Sequence, residues 1–334
     1  MRVLVPVEDP LFAACMAYFI KNHAWPSGTE FIVMHIIEPY LLDDSPHITF
    51  APLLEISRQE VIADASRLVA AMAQSINNAH PTATVTQDVV QAHVVEQIKH
   101  FAKTWNPDLV ILGSHGRSGF QHFMLGSVSL ELCSELTLPL LLIKPQLPML
   151  KKWDDLSFPS LAHASFEKAL QQLETNQKLK KIVLALDNTS LNKQLVQFCL
   201  DHTWKIGTEL ELFSTVDERP FFFLPPPLKD KLAEILILDR KRDLTEMSHA
   251  LFKKFMSEHV AVNVQWGTPR THILDRCKQD ADILVLGNHL QKGRLGGTAL
   301  SCLCAAQCSV LLLKEDMNLT KSEIDQHVST ARKA

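Results

Sequence analysis

Nowhere in the 334 residues does an apolar run approach the roughly 20 residues that a membrane-spanning helix needs. The start also lacks the apolar stretch of an export signal, because Met1 to Pro6 lead straight into Glu8 and Asp9. No membrane partner is expected, and the cytoplasm is the expected compartment. A basic surplus is missing too. Lys and Arg number 33 against 37 Asp and Glu, a net charge of -4. A nucleic-acid binder would carry a basic excess, so no nucleic-acid partner is expected, and an anion would have to be held by local backbone geometry. The seven cysteines (15, 133, 199, 277, 302, 304, 308) are scattered and odd in number. That excludes a disulfide framework and predicts buried thiols in a reducing compartment. Cys304 and Cys308 share a helix face, but no CxxC pair or second ligand cluster accompanies them. They read as small apolar residues before they read as a soft-metal site. With 46% hydrophobic and 21% charged residues, disorder of the bulk is excluded, and the length suggests two domains.

What the chain does have is a repeat. The apolar run Val3–Val7 ends in Glu8, and 179 positions on Ile182–Leu186 ends in Asp187. Phe31–His35 falls at the same offset on Leu210–Ser214. Pro107–Gly113 is echoed by Ala281–Gly287, and Leu140–Lys144 by Val310–Lys314. Four matched runs in one order make a tandem duplication the economical reading. Amphipathic stretches alternate with the runs: Leu11–His23, Pro52–Asn77, Val94–Trp105 and Ser127–Leu136, then Leu191–Trp204 and a long helix over Leu228–His259. Thr84–Val90 and Ala261–Trp266 read as further strands. Strands separated by helices imply crossovers and a parallel sheet covered on both faces. The class is therefore α/β, with two tandem five-stranded parallel-sheet (Rossmann-like) domains. The divisions are 1–146, a linker with a short helix at 147–177, 178–316, and a polar tail at 317–334.

One stretch carries chemistry. From Gly113 to Ser129 a glycine-containing loop leaves a buried strand and opens a helix. Glycines would let the backbone take positive φ and let a ligand approach. The amides near Gly126, Ser127 and Val128, helped by the helix dipole, could hold an anion. Ser127 and Ser129 add hydroxyls, and His115 or Arg117 adds positive character. The spacing is neither that of Walker A nor that of the dinucleotide fingerprint. Spacing alone leaves phosphate binding and a structural loop equally open.

The pattern Gly113-x2-Gly116-x9-Gly126-Ser127 resembles the nucleotide-binding motif of the ATP-binding branch of the universal stress protein family. The first strand, the end of the second at Met34–Ile37, and Asp108–Gly116 are also similar, over both copies. The resemblance implies tandem universal stress protein domains packed as a pseudo-dimer, with the last strand of each copy meeting the other. It also implies ATP, accompanied by Mg2+, in the first copy. Position by position, Glu8 stands for the acid near the ribose and Ile36 for the residue whose backbone meets adenine. Gly113, His115, Gly116 and Arg117 lie along the phosphate loop; Gly126, Ser127, Val128 and Ser129 form its helix-side half.

The second copy departs. Leu290 replaces Gly116, and Gly287 to Gly297 spans ten positions against thirteen from Gly113 to Gly126. This copy is expected not to bind ATP. Phe221–Pro227 and Tyr40–Pro52 should lie at the carboxyl ends of the strands, where open α/β sheets bind ligands. The plainer reading packs each over its own domain; the sharper makes it an apolar surface or lid. Three functions stay in play: a nucleotide-binding stress protein, a slow ATPase or phosphotransferase, and a scaffold for a partner or apolar ligand. No Asp or Glu lies between Gly113 and Ser129 to hold a metal or orient water, so enzyme activity is not the leading expectation. The chain could also form a homodimer.

Overall fold

The computed structural model describes residues 1–39, 51–114, 125–145, 162–174, 180–288 and 295–315; of 51–57, 162–164 and 174 it describes the backbone only. The first copy runs β1 (Arg2–Pro6), α1 (Pro10–Asn22), β2 (Glu30–Ile37), α2 (Ala51–Ala79), β3 (Thr84–Gln91), α3 (Val94–Thr104), β4 (Leu109–Gly113), α4 (Ser127–Glu135) and β5 (Leu140–Ile143). A connecting helix, α5 (Ala162–Glu174), follows. The second copy runs β6 (Lys181–Ala185), α6 (Leu191–Asp201), β7 (Glu209–Asp217), α7 (Pro226–Leu251), β8 (Val260–Gly267), α8 (Pro269–Cys277), β9 (Ile283–Asn288), α9 (Gly297–Ala305) and β10 (Ser309–Lys314).

The ten strands form one sheet in the order β3-β2-β1-β4-β5-β10-β9-β6-β7-β8. Within each copy every pairing is parallel, as short apolar strands between helices require. The junction is antiparallel: Val310 faces Leu142, Leu311 faces Leu141 and Leu312 faces Leu140. Each copy thus covers the other's exposed edge. One core layer lies under α1, α2, α5, α6 and α7, the other under α3, α4, α8 and α9. Helix α5 inserts Phe166, Ala169, Leu170 and Leu173, one helical stripe, against α1 and α2.

Two sets of contacts tie the copies together across the junction. Lys144 at the end of β5 donates to the carbonyls of Cys304 (2.9 Å) and Ala306 (3.0 Å), which closes the carboxyl end of α9. Where α1 and α6 end, His23 Nε2 meets His202 Nε2 at 2.7 Å, 179 positions apart. Their surroundings repeat at that offset: Trp25 Nε1 donates to Ile20 O (2.9 Å) and Trp204 Nε1 to Cys199 O (2.8 Å). Gly28 (φ 73°) and Gly207 (φ 82°) turn the chain into β2 and β7 in the left-handed region that favours glycine.

Two expectations change. The long helix expected to His259 stops at Leu251, because Phe255 turns into the core and Lys254 reaches back to Leu200 O, 2.5 Å away. The Phe221–Pro227 segment does not pack over its own domain as a whole. Phe221 stacks on Trp266, but Phe222 and Phe223 face solvent. The Tyr40–Phe50 part of the first copy's segment lies outside the described residues. The cysteines are buried, except half-buried Cys304.

Candidate functional site

At the carboxyl end of the first copy's strands lies a cavity of about 450 Å³. It opens where β1 and β4 send their crossovers to opposite faces of the sheet, the switch point at which such sheets bind ligands. All seven described candidates line it: Glu8, Ile36, Gly113, Gly126, Ser127, Val128 and Ser129. His115, Gly116 and Arg117 lie outside the described residues, as does Leu290 of the second copy.

Each side is built by a local rule. Asp9 accepts from the amides of Leu11 (2.8 Å) and Phe12 (3.2 Å), capping α1 and leaving Glu8 exposed at the mouth. Glu38, just past β2, accepts from Val94 N (3.0 Å) and so caps α3. At the far side Gly126 is the cap residue of α4 and has no side chain to satisfy the first turn. Its own amide bonds to Ser114 O (2.9 Å), so the amides of Ser127, Val128 and Ser129 are those the helix leaves over. Together with the helix dipole they make the anion-binding end of the cavity. Phe12, Met16 and Ile98 supply an apolar wall.

Two expected roles need correction. The hydroxyl of buried Ser129 donates to Gly113 O at 2.8 Å, locking the end of β4 to the first turn of α4. Its proton is committed, so exposed Ser127 is the hydroxyl that faces the cavity. Nor do Gly113 and Gly126 serve by positive φ. A Cβ on Gly113 would sit 3.1 Å from Phe12 Cβ, so glycine is there to let α1 pack close to β4. The two acids nearest the loop are also placed: Asp108 Oδ2 accepts from Arg2 N (2.7 Å) at the opposite end of the sheet, and Glu131 is exposed on α4.

In the second copy Arg240 crosses the equivalent region, and a more open cavity of about 460 Å³ remains beside it, lined by Asn188, Thr189, Asn192, Arg240, Asp243 and Glu246. The buried side chains of α2 include Ala65, Leu68, Val69, Met72, Ala73, Ser75 and Ile76, none of them charged, whereas α7 buries Arg240 beside Leu244, Ser248 and Leu251. Arg240 Nε donates to Ser214 Oγ (2.9 Å) and its Nη2 to Asp187 O, while Ser214 donates to Leu186 O (2.7 Å). Asp187 and Ser214 are the counterparts of Glu8 and His35, which line the open cavity of the first copy. Burial draws the Arg240 pKa below its ordinary value. Arg240 was missed from sequence; the signal was an arginine four residues before Leu244 and eleven before Leu251, on one helix face.

The family model for the universal stress protein family matches residues 1–144 and 178–314. A universal stress protein from Archaeoglobus fulgidus aligns at TM-score 0.57 and 20% identity, over 94% of this chain and 98% of that one. A functionally unknown protein from Pseudomonas aeruginosa PAO1 aligns at TM-score 0.51 and 15% identity, over 94% and 92%. At these identities the two structures speak for the fold alone. No curated protein sequence matches the chain significantly. No helix among the described residues is long and apolar enough to cross a membrane.

Proposed function

The chain belongs to the universal stress protein family across both copies, and from that premise we propose that its first copy binds ATP and its second serves as a non-binding structural partner. The observation that carries this reading is convergence. Residues from the ends of β1, β2 and β4 and from the start of α4, chosen by motif, surround one cavity whose floor is an uncapped helix N-terminus. The phosphates would lie against the amides of Ser127 to Ser129, with Ser127 Oγ as a further donor. Glu8 at the mouth would take the ribose hydroxyls, the backbone of Ile36 the adenine edge, and Phe12 and Met16 the base's apolar face. Among the described residues no group of three or more His, Cys, Asp or Glu converges to hold a metal. An accompanying Mg2+ would thus be held chiefly by the phosphates themselves. Of the carboxylates lining the cavity, Asp9 and Glu38 are engaged as helix caps and Glu8 is taken up by the ribose in this reading, so binding without efficient turnover is the expected behaviour. A cytoplasmic role in stress survival is part of the same proposal.

Titration calorimetry with ATP tests it. The expected stoichiometry is one per chain, and Gly126→Asp abolishes binding by placing a carboxylate at the anion end. Two equivalent sites, or unchanged binding in that variant, would sink the reading. Phosphate release at about 1 per second or faster would move the protein to the ATPase class.

A further inference from the structure

Four of the seven cysteines gather in one corner of the second copy. Cys277 ends α8, Cys302 and Cys304 lie on α9, and Cys308 stands in the turn just before β10. Cys277, Cys302 and Cys308 belong to one core layer and are buried; Cys304 is half-buried. The Cys308 thiol is in hydrogen-bond contact with the thiol of Cys277. Packing alone does not ask for sulfur here. With Val310–Lys314 matching Leu140–Lys144, Cys302 and Cys308 stand where the first copy has Leu132 and Leu138. The buried pair Ile273 and Cys277 on α8 matches Ile98 and Ala102 on α3. Positions that hold hydrocarbon in one copy thus hold thiols in the other, and two of those thiols touch. The turn they share is also a joint between the copies, since Lys144 of the first copy grips it through Cys304 O and Ala306 O.

We propose that Cys277 and Cys308 are a redox modification site, a dithiol that a peroxide converts into a reversible disulfide. Both sulfurs sit at element ends, where a small backbone shift brings them to bonding distance. A small uncharged oxidant is the class that fits, because both are buried. The bond to Cys277 and burial hold the proton on Cys308, raising its pKa well above the ordinary value, against an opposing pull from Lys144. Cys308 therefore stays a donor, and Cys277 is the sulfur that attacks the oxidant. In the first step the Cys277 sulfur bonds to one oxygen of hydrogen peroxide and the O–O bond breaks. The leaving hydroxide takes the Cys277 proton and departs as water, so Cys277 becomes a sulfenic acid. In the second step the Cys308 sulfur attacks that sulfur. The S–S bond forms, the S–O bond breaks, and hydroxide leaves with the Cys308 proton as a second water. The two sulfurs lose two electrons and the peroxide oxygens gain them. A dithiol reductant reverses the change by exchange.

Peptide mass mapping on the full chain reads the result. Cys304→Ser, which installs the residue that the first copy has at Ser134, first removes the half-buried thiol. This protein is treated with a modest excess of hydrogen peroxide, blocked with iodoacetamide in urea and digested. Two thiols should be lost per chain, with one peptide pair joined through Cys277 and Cys308, and dithiothreitol should restore both. Cys277→Ala and Cys308→Leu, added singly, give those positions the first copy's own side chains, so circular dichroism should be unchanged. Each should abolish the joined pair. In Cys308→Leu the sulfenic acid has no resolving thiol, and dimedone should trap it on Cys277. Thiols that survive peroxide in the folded parent, a pair joined through Cys302 instead, or a Cys308→Leu protein with no dimedone adduct on Cys277 would each overturn the proposal. The parent's own mapping decides the pairing even where a variant folds poorly.

Discussion

Acidification should loosen the chain through the histidine pair at the junction of the copies. His23 and His202 are both buried, each stacked on a phenylalanine (Phe19 at 5.2 Å, Phe198 at 5.0 Å) and flanked by Trp25 and Trp204. With both rings neutral, one Nε2–H donates to the other Nε2 across the 2.7 Å contact. A further proton on the accepting nitrogen ends that bond and leaves a buried cation. Burial accordingly pulls His202 from 6.5 down to about 4 and His23 well below its ordinary value. The titratable neighbours acting most on the pair are His80, Lys205 and Lys254, all bases, which push the same way. For a base whose folded pKa is depressed, the unfolded chain holds more protons in between. Stability is then complete above about pH 6.5 and falls as pH drops toward 4. His202 alone accounts for roughly 3 kcal/mol over that window, at about 1.4 kcal/mol per pH unit. Urea unfolding followed by tryptophan fluorescence between pH 7.5 and 4.5 measures this. His202→Gln keeps a hydrogen-bonding group without a titration, so carboxylate effects common to both proteins cancel in the comparison. The wild type should lose about 1 kcal/mol per pH unit more than the variant below pH 6.5, and His23→Gln added to it should flatten the profile further. Equal pH dependence in all three proteins would refute the argument.

Glu211 Oε2 accepts from Arg276 Nη2 (2.6 Å) and Nε (2.9 Å), and its Oε1 from Asn263 Nδ2 (3.0 Å), while Arg276 Nη1 keeps Asp280 at 2.6 Å. Glu211→Ile should therefore cost about 1.5–3 kcal/mol in urea unfolding, and adding Arg276→Met, which removes the half-answered guanidinium, should recover part of it. In the native protein an aromatic disulfide reagent should label Cys304 quickly and Cys15, Cys133, Cys199 and Cys302 only on unfolding, because burial pushes those four thiols up to about 12. Lys144→Met should lower stability by about 1–3 kcal/mol through the two α9 carbonyls left bare; unchanged unfolding would deny that the lysine closes that helix.

Much of the fold was legible because it rests on short-range pattern. Runs such as Leu109–Leu112, too short for a helix and bounded by Pro107 and Gly113, read as buried strands, and their recurrence at matched offsets marks two copies of one sheet. The cavity was legible for the same reason, since Gly113 and Gly126 sit where a strand ends and a helix begins. What escaped depends on how elements lie on one another. That Ser129 turns its hydroxyl to Gly113 O follows from the approach of α4 to β4, which no spacing reveals. That Gly113 must lack a side chain follows from the nearness of Phe12 on α1. His23 and His202 were in plain sight at the 179-residue offset, but a lone histidine at a helix end has no partner until the copies are docked.

The two copies have diverged in one place and stayed alike in another, and the geometry gives a reason for the difference. At the junction each copy's residue is the other's environment. A change of His23 alone would leave His202 with an unanswered Nε2 inside an aromatic cluster, so the positions constrain each other. The clefts make no such demand. The first opens at the end of β1 and the second at the end of β6, on opposite sides of the antiparallel β5–β10 junction, and among the described residues neither supplies a residue to the other. A guanidinium could therefore enter the second cleft without disturbing the first. Its bonds to Asp187 O and Ser214 Oγ tie α7 to the end of β6 and to β7, and what stays open beside it is lined by Asn188, Asn192, Asp243 and Glu246 rather than by a glycine-capped helix start. A duplicated sheet whose shared face is held fixed while its separate faces drift yields two clefts of different chemistry.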